Sequence, residues 1–323
     1  MSNRLSTQPK ILVILGPTAS GKSALAVALA RTFNGEVISA DSRQVYKEMD
    51  LGTGKITKKE MRGVRHHLLD VTLPKKKFDV VQWKEIADKA ITDITRRDKL
   101  PIVCGGTGLY IKALTENITY PDVPPDWKLR KKLEKKSVRE LFAMLEKLDP
   151  QRAKTIDPDN PRRLMRAIEI AIQRGKAPIS HFPAIAGEWD ICNIQNGNVL
   201  RETSVPRYDV LIIGIKKSYD ELKKEIARRL VERIRKGMVA EARKLHQQGV
   251  SWKRMEEIGL EYKYLALHLQ GKLTKKEMAE ALNAKSWQYA RRQMTWFRKT
   301  KNVRWIGTLK EAEKLVREFV KKK

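Results

Sequence analysis

The strongest constraint on this fold lies in residues 11–30, where an apolar run is followed directly by a glycine-rich loop and then by a second apolar stretch. Residues 11–15, ILVIL, are apolar and largely β-branched, which predicts a buried parallel strand. Residues 16–23, GPTASGKS, match the phosphate-loop pattern G-x-x-x-x-G-K-[ST], and residues 25–30 are typical of a helix. Strand, loop and helix in this order are the context that the motif requires. The sequence therefore predicts an α/β fold that binds a di- or triphosphate.

The residue types in this loop suit a phosphate ligand. Its two glycines allow backbone N–H groups to turn toward an anion, and the following helix adds the partial positive charge of its N-terminus. Lys22 can reach a terminal phosphate, and the hydroxyl of Ser23 can hold Mg²⁺. The predicted diphosphate site consists of Gly16, Pro17, Thr18, Ala19, Ser20, Gly21, Lys22 and Ser23.

Two more predicted strands, 36–40 and 101–104, deliver polar residues to the same edge of the sheet. Ligands of open α/β sheets bind beyond the carboxyl ends of the strands, so Asp41 is predicted to face the ligand of the phosphate loop. A helix cap is the alternative role, since Asp and Ser are common there. Glycine and threonine follow the strand 101–104, where nucleotide hydrolases normally place the acid that orders Mg²⁺ and water. This disfavours ATP hydrolysis and ordinary phosphoryl transfer.

The net charge favours a polyanionic partner. The chain has 67 Lys and Arg against 38 Asp and Glu, a formal charge of +29, which points to nucleic acid. A generally lysine-rich or heat-adapted proteome is the alternative explanation. Two cysteines exclude a disulfide framework and a zinc cluster, and no apolar run approaches the roughly 20 residues of a membrane span. The N-terminal residues lack a signal-peptide core, so we expect a reduced, cytoplasmic compartment and no membrane partner.

A basic, helical stretch begins after a proline-rich linker at 120–127. Arg162, Arg163 and Arg166 lie in the first turns of one predicted helix, and the spacing puts Arg162 and Arg166 on one face. Cations are disfavoured near a helix N-terminus. The cluster therefore favours a phosphate-contacting surface over a merely solvated one.

The C-terminal part is predicted to be mainly helical after a buried strand at 208–215. One long helix is predicted over 219–248 and another over 274–298. The second contains YARRQMTWFR, whose interleaved aromatic and basic residues suit RNA binding, although a buried aromatic stripe with an exposed basic face fits equally well. Earlier in the chain, GTGK at 52–55 is a second glycine loop, for which a plain turn and a phosphate contact are both open.

Five motifs occur along the chain in the order GPTASGKS, SADSRQVY, GGTGLYIKAL, NPRRLMRAIE and YARRQMTWFRK. With these motifs the chain resembles the tRNA dimethylallyltransferases, the bacterial-type tRNA isopentenyltransferases, over roughly residues 10–305. The resemblance implies transfer of a dimethylallyl group from dimethylallyl diphosphate to the exocyclic N6 amine of the adenosine immediately 3′ of the anticodon, with release of diphosphate. The phosphate loop would then hold the prenyl donor, which agrees with the missing acid after the strand 101–104.

The resemblance also implies an architecture. Residues 1–113 and 207–323 would form a phosphate-loop NTPase-like α/β core with a parallel sheet and C-terminal helices. Residues 114–206 would form a mostly helical insertion that grips the anticodon stem-loop of tRNA. Mg²⁺ is the implied cofactor, tRNA and dimethylallyl diphosphate are the implied partners, and a monomer is expected.

The resemblance assigns a role to each matching residue. Asp41 would accept a proton from the adenine amine, with Thr107 beside it at the reacting centre. Lys22, Ser23 with Mg²⁺, and Arg229 would neutralise the leaving diphosphate. The adenine must leave its stack for this chemistry, so residues near Asp41 would contact a flipped nucleotide. The implied tRNA contacts are Asp41, Ser42, Arg43, Gln44, Thr107, Arg130, Arg162, Arg163, Leu164, Met165, Arg166, Arg291 and Arg292.

Other functions stay open at this point. An adenylate isopentenyltransferase of the cytokinin type would share the loop and the acid but would not need the basic insertion. A small-molecule kinase would need a lid with catalytic arginines, which the sequence does not reveal. A non-catalytic RNA-binding module would not need an intact Lys22, Ser23 and Asp41.

The chain departs from the family pattern in three places. Residues 258–262 read IGLEY where the family usually has an I-G-Y-K-E-like run, and Glu225 stands where an arginine is usual. Residues 184–206 look like an addition, and their alternation around Asn196-Gly197 predicts a hairpin without an assigned function.

Overall fold

The computed structural model describes residues 8–118, 120, 123–174 and 207–322, and within them one six-stranded sheet is present. All of its strand pairs are parallel. The strands are β1 (Lys10–Leu15), β2 (Gly35–Ser39), β3 (His66–His67), β4 (Leu100–Gly105), β5 (Asp209–Ile215) and β6 (Val303–Ile306). They lie in the order β3-β2-β4-β1-β5-β6, so β1 is central and β2 and β4 are neighbours. The predicted parallel α/β fold is confirmed.

The chain divides into two compact units, one formed by Met1–Thr115 with Pro206–Lys323 and the other by Glu116–Val205. The sheet belongs to the first unit. The helices of the first unit are α1 (Lys22–Thr32), α2 (Lys58–Met61), α3 (Val80–Arg96), α4 (Gly108–Thr115), α9 (Tyr219–Arg235), α10 (Met238–Gln247), α11 (Trp252–Ile258), α12 (Leu260–Leu269), α13 (Lys275–Lys299) and α14 (Leu309–Lys321). The helices of the second unit are α5 (Trp127–Leu133), α6 (Val138–Leu148), α7 (Pro150–Ala153) and α8 (Pro161–Arg174).

Strand β1 is buried because helices cover both faces of a parallel sheet, which explains its unbroken apolar sequence. Its core neighbours include residues of α1, β4 and α14, for example Leu29, Ile102 and Val316. The helix starts are encoded locally: Asp79 with Gln82 begins α3, and Thr274 with Glu277 begins α13, each as a reciprocal capping box. These signals fix the residues at which the two helices begin.

The predicted single helix over 219–248 is wrong. Gly237 has φ +101°, a left-handed backbone conformation that cannot continue a helix, so α9 ends before it and α10 begins after it. The apolar periodicity runs through this break, which is why the sequence pattern conceals it. The predicted hairpin at 184–206 lies outside the described residues.

The second unit has an apolar core of its own. Leu141 and Leu145 of α6 pack with Leu164 and Ile168 of α8, and these four side chains are fully buried or nearly so. Ser137 starts α6 through a capping box with Glu140. Among the described residues of both units, no helix combines the length and apolar character that a membrane span requires.

Candidate active site

The phosphate loop joins β1 to α1 as the motif requires. Gly21 has φ +91°, which lets the chain turn sharply into α1 at Lys22. Ser20 N–H donates to the carbonyl of Pro17 at 3.2 Å, and Lys22 Nζ donates to the same carbonyl at 3.2 Å. The lysine side chain is thus folded back over the loop, at the N-terminus of an eleven-residue helix. This arrangement offers a positive side chain and helix N–H groups to an anion.

Asp41 and Thr107 are brought together by the ends of β2 and β4. Ser42 N–H donates to Thr107 Oγ1 at 3.0 Å, and the Thr107 hydroxyl donates to Ser42 Oγ at 3.3 Å. Asp41 precedes Ser42, and its Oδ1 accepts a hydrogen bond from Arg43 N–H at 2.9 Å. Thr107 and Asp41 therefore share one small polar cluster beyond the sheet edge.

A close approach of backbones makes this cluster possible. Thr107 N–H donates to the carbonyl of Ala40 at 3.1 Å, and Ala40 N–H donates to the carbonyl of Cys104 at 2.8 Å. A Cβ added to Gly105 would lie 2.0 Å from the Ala40 carbonyl oxygen. Gly105 therefore has to be glycine, because no side chain fits between the two strand ends.

The phosphate loop and the Asp41 cluster interact electrostatically. Burial lowers the pKa of Lys22, and the nearby Arg229 guanidinium lowers it further, whereas Cys104 and Asp41 act to raise it. Burial raises the pKa of the Cys104 thiol to about 11, so this thiol is neutral at physiological pH. The sheet order places β4 between β1 and β2, so the phosphate loop after β1 lies at the same sheet edge as Asp41 and Thr107, which follow β2 and β4. A diphosphate bound by this loop would offset the repulsion between Lys22 and Arg229.

Arg229 lies beside the second glycine loop. A Cβ added to Gly54 would be 3.3 Å from Arg229 Nη2 and 3.5 Å from Arg233 Nη1. Lys55 points elsewhere: its Nζ lies 2.6 Å from Asp50 Oδ1 and 2.5 Å from Asp70 Oδ1, with its side chain only 5% exposed. Lys55 therefore forms ion pairs within the protein. The interpretation of this glycine loop as a plain turn fits better than a phosphate contact.

The carboxylate of Glu241 in α10 binds backbone N–H groups of that glycine loop, at residues 50–52. Its Oε2 accepts hydrogen bonds from the N–H groups of Asp50 at 2.9 Å and Leu51 at 2.7 Å, and its Oε1 accepts one from Gly52 at 2.9 Å. The Tyr262 hydroxyl donates to Oε1 at 2.6 Å. Tyr262 belongs to the segment 258–262, which therefore contacts the loop beside Arg229 through Glu241.

Gln293 of α13 is a site residue to which the sequence analysis gives no separate role. Its Oε1 accepts a hydrogen bond from Thr18 N–H, and its Nε2 donates to the carbonyl of Gly106, both at 2.8 Å. Its neighbours Arg291 and Arg292 are exposed and half-buried, respectively. The Arg292 guanidinium lies 6.0 Å from the centre of the Tyr289 ring. The YARRQMTWFR segment thus combines an internal contact with basic residues at the surface.

The second unit contains the remaining predicted tRNA contacts, and most are used internally. Arg166 is 3% exposed, pairs with the buried carboxylate of Glu169, and donates to the carbonyl of Val123 at 2.8 Å. Arg130 also binds Glu169, with 2.6 Å between Nη2 and Oε2. Burial by itself would raise the pKa of Glu169, but the hydrogen bonds from Arg130 and Arg166 outweigh it and leave the pKa below its usual value.

The prediction of a solvent-facing surface with Arg162 and Arg166 side by side is therefore wrong for Arg166. Its side chain pairs with Glu169, three residues further along α8, a spacing that the sequence shows. The charge pattern does not reveal that this pair is buried. Leu164 is fully buried in the apolar core and cannot present its side chain to RNA in this structure. Met165 is half-buried, as is Arg163, which lies 3.7 Å from Asp157, and Arg162 is exposed.

Comparison with known proteins identifies the family. Residues 44–300 match the sequence profile described as IPP transferase. The chain belongs to this family. A tRNA dimethylallyltransferase of Acetivibrio thermocellus is 41% identical over 304 residues, covering 92% of this chain and 91% of its own length. The tRNA dimethylallyltransferase 2 of Treponema denticola is 42% identical over 296 residues, covering 91% and 93%.

Solved structures agree with this family membership. The full-length tRNA isopentenylpyrophosphate transferase of Bacillus halodurans has a TM-score of 0.69 and 34% identity, with 97% of each chain covered. A eukaryotic dimethylallyltransferase acting on tRNA has a TM-score of 0.74 and 26% identity, covering 97% of this chain and 77% of its own. The similarity to these prenyl-transferring relatives thus extends over nearly the whole chain.

Proposed function

We propose that this protein transfers a dimethylallyl group from dimethylallyl diphosphate to the N6 amine of adenosine 37 in tRNA, immediately 3′ of the anticodon. The observation that carries the proposal is that a cationic site for diphosphate lies at the same sheet edge as the cluster of Asp41 and Thr107. Lys22 belongs to the phosphate loop at the end of β1, and Asp41 and Thr107 follow β2 and β4 at the same edge of the sheet. Arg229 lies beside Gly54, whose carbonyl accepts a hydrogen bond from Gln44, and it adds positive charge for a diphosphate. The names of its relatives support the same reaction.

The proposed step is a substitution at the allylic carbon C1 of the donor. The lone pair of adenine N6 forms the new C–N bond, and the C1–O bond breaks with its electron pair leaving on the diphosphate. The carboxylate of Asp41 takes the proton that N6 loses. Lys22, Arg229 and the N–H groups at the start of α1 stabilise the negative charge that develops on the leaving group. Thr107 holds the turn that contains Asp41 through Ser42.

Mg²⁺ is part of the proposal, bound through Ser23 and the donor. Among the described residues no three His, Cys, Asp or Glu side chains form a metal cluster. The Ser23 hydroxyl in the first turn of α1 is a hard oxygen donor, which fits an ion that binds mainly through substrate phosphates and its own waters. When bound, Mg²⁺ supplies further positive charge to the departing diphosphate. Calorimetric titration with inorganic diphosphate should show tighter binding with Mg²⁺ than without it, and less benefit in Ser23→Ala.

The nucleic acid partner is proposed to be the anticodon stem-loop, bound by a monomeric protein in the cytoplasm. The formal charge of +29 favours a polyanion. Arg43, Gln44 and Ser42 follow Asp41 directly and would surround a flipped adenine. Among the predicted contacts, Arg162 and Arg291 are exposed, which favours them for binding RNA phosphates. Size-exclusion chromatography with light scattering tests the monomer.

The direct test supplies labelled dimethylallyl diphosphate with Mg²⁺ and either tRNA bearing adenosine 37 or free AMP. We expect label in tRNA, and replacing adenosine 37 with guanosine should abolish it. Label in AMP alone would instead identify an adenylate isopentenyltransferase. Phosphoryl transfer from ATP to a small molecule, without any prenyl transfer, would indicate a kinase.

The role of Asp41 is tested by Asp41→Asn, which keeps the size of the side chain but removes its basicity. The rate of the chemical step should fall by about 10²–10⁴, the usual contribution of a general base. Binding of tRNA should persist, and the exposed Asp220→Asn on α9 is the matched control. Single-turnover kinetics measure the step, and an unchanged rate in Asp41→Asn would remove Asp41 from the mechanism.

A further inference from the structure

The side-chain amide of Gln293 joins two loops that lie far apart in the sequence. One is the phosphate loop, through Thr18 N–H, and the other is the turn after β4, through the carbonyl of Gly106. The first loop is proposed to hold the diphosphate, and the second contains Thr107. Gln293 is 7% exposed; its hydrogen bond to Gly106 is buried, and the one from Thr18 is partly buried.

A primary amide can serve both partners at once. Thr18 N–H can only donate and the Gly106 carbonyl can only accept, so the bridge needs an acceptor and a donor side by side. The partners also fix the orientation of the amide, with Oε1 toward the phosphate loop and Nε2 toward Gly106. A carboxylate in this place would keep the contact with Thr18 but would repel the carbonyl of Gly106.

The glycines on either side of Thr107 leave room for α13. A Cβ added to Gly106 would lie 2.5 Å from Gln293 Nε2, and a Cβ added to Gly108 would lie 2.2 Å from Trp296 Nε1. Gln293 and Trp296 are three residues apart and so share one face of α13. The GGTG turn is therefore shaped to receive this helix face, with Thr107 held between the two contacts.

We propose that Gln293 is a positioning residue that sets the placement of the phosphate loop relative to the Asp41 and Thr107 cluster. The proposal rests on the proposed function for its catalytic consequence. Losing the bridge would let the diphosphate loop and the adenine site shift independently. Because misplacement of reacting groups by about 1 Å can cost about 10²-fold in rate, the effect should appear in turnover and in donor binding.

The test compares Gln293→Glu and Gln293→Met with Gln288→Glu. Gln288 lies on the same helix and is exposed, and its Oε1 accepts a surface hydrogen bond from Lys285 Nζ at 3.2 Å, so it is a matched control. For both Gln293 variants we expect kcat to fall at least about tenfold and KM for dimethylallyl diphosphate to rise at least about threefold, with KM for tRNA within about twofold. The control should match the wild type.

Amide hydrogen exchange provides a readout that needs no turnover. The Thr18 amide should exchange at least about tenfold faster in Gln293→Met, while amides in β1 and α14 keep their wild-type protection. An unchanged exchange rate of the Thr18 amide would overturn the proposal. A uniform loss of protection with an unchanged KM for dimethylallyl diphosphate would also overturn it, because this second result indicates a purely structural role. A wild-type protein that transfers no prenyl group would refute the proposed function, and the exchange result would still decide the role of Gln293.

Discussion

Replacing Glu241 with glutamine should loosen the glycine loop beside Arg229. The wild-type carboxylate accepts four hydrogen bonds: Oε2 accepts from Asp50 and Leu51 N–H, and Oε1 accepts from Gly52 N–H and the Tyr262 hydroxyl. A glutamine keeps one acceptor oxygen and places an NH₂ group where the other was. Two of the four donors therefore lose their acceptor, whichever way the amide is oriented.

The free-energy cost of Glu241→Gln depends on which hydrogen-bond donors lose their acceptor. A hydrogen bond to a charged group contributes about 1.5–3 kcal/mol. Asp50 is exposed, so its N–H can bind water after the substitution, and this reduces the cost. We therefore expect the loss of two hydrogen bonds to lower the free energy of local opening by about 2–4 kcal/mol. At about 1.4 kcal/mol per tenfold change, this corresponds to exchange that is about 30 to 10³ times faster at the amides of residues 50–52.

Hydrogen exchange with mass spectrometry on peptides spanning residues 49–55 measures the effect. Glu232→Gln is the matched control, because the carboxylate of Glu232 is 42% exposed and pairs only with Arg228 and Lys236 on the surface of α9 among its recorded ion pairs. That variant should change stability by less than about 0.5 kcal/mol. Acceleration of less than about threefold in Glu241→Gln would refute the reasoning, since the nest of N–H groups would then not depend on the carboxylate.

The remaining predictions concern two ion-pair networks. Hydrogen bonding from Arg97 holds the pKa of the 2% exposed Glu36 far below its usual value, with Lys99 and His67 acting in the same direction. Its contribution is therefore present above the unfolded pKa of about 4.5 and is lost as pH falls below that value. Urea unfolding should show Glu36→Gln to be about 3 kcal/mol less stable than wild type at pH 7, with the difference narrowing progressively as the pH falls below about 4.5; a constant difference would contradict the assignment. Arg166→Met should lower the melting temperature, because it leaves Glu169 without one of its partners. The exposed Arg291→Met should leave the melting temperature unchanged and weaken tRNA binding with a shallower salt dependence, measured by filter binding. Equal melting temperatures for the two variants would show that Arg166 is not structural.

The sequence was sufficient for those parts of the site that form from contiguous residues. The phosphate loop, the strand before Asp41 and the strand before Thr107 are each encoded by a local pattern, and parallel pairing places their ends at one edge. Contacts between distant residues were not predictable in this way. Gln293 and Thr18 are 275 residues apart, and Glu241 and Asp50 are 191 residues apart. Arg166 and Glu169 are only three residues apart, but the partners that bury them are distant: Arg130 is 39 residues from Glu169, and Val123 is 43 residues from Arg166.

The position of β1 in the sheet has a consequence for synthesis on the ribosome. β1 is the first strand to emerge, and it can pair with β4 once Leu100–Gly105 has been made. Its other edge is completed by β5, which follows about 100 residues later. At about 5–20 residues per second the central strand keeps an open edge for about 5–20 s, during which the unit Glu116–Val205 is synthesised. A nascent chain stalled in this interval is expected to be the species most dependent on chaperones.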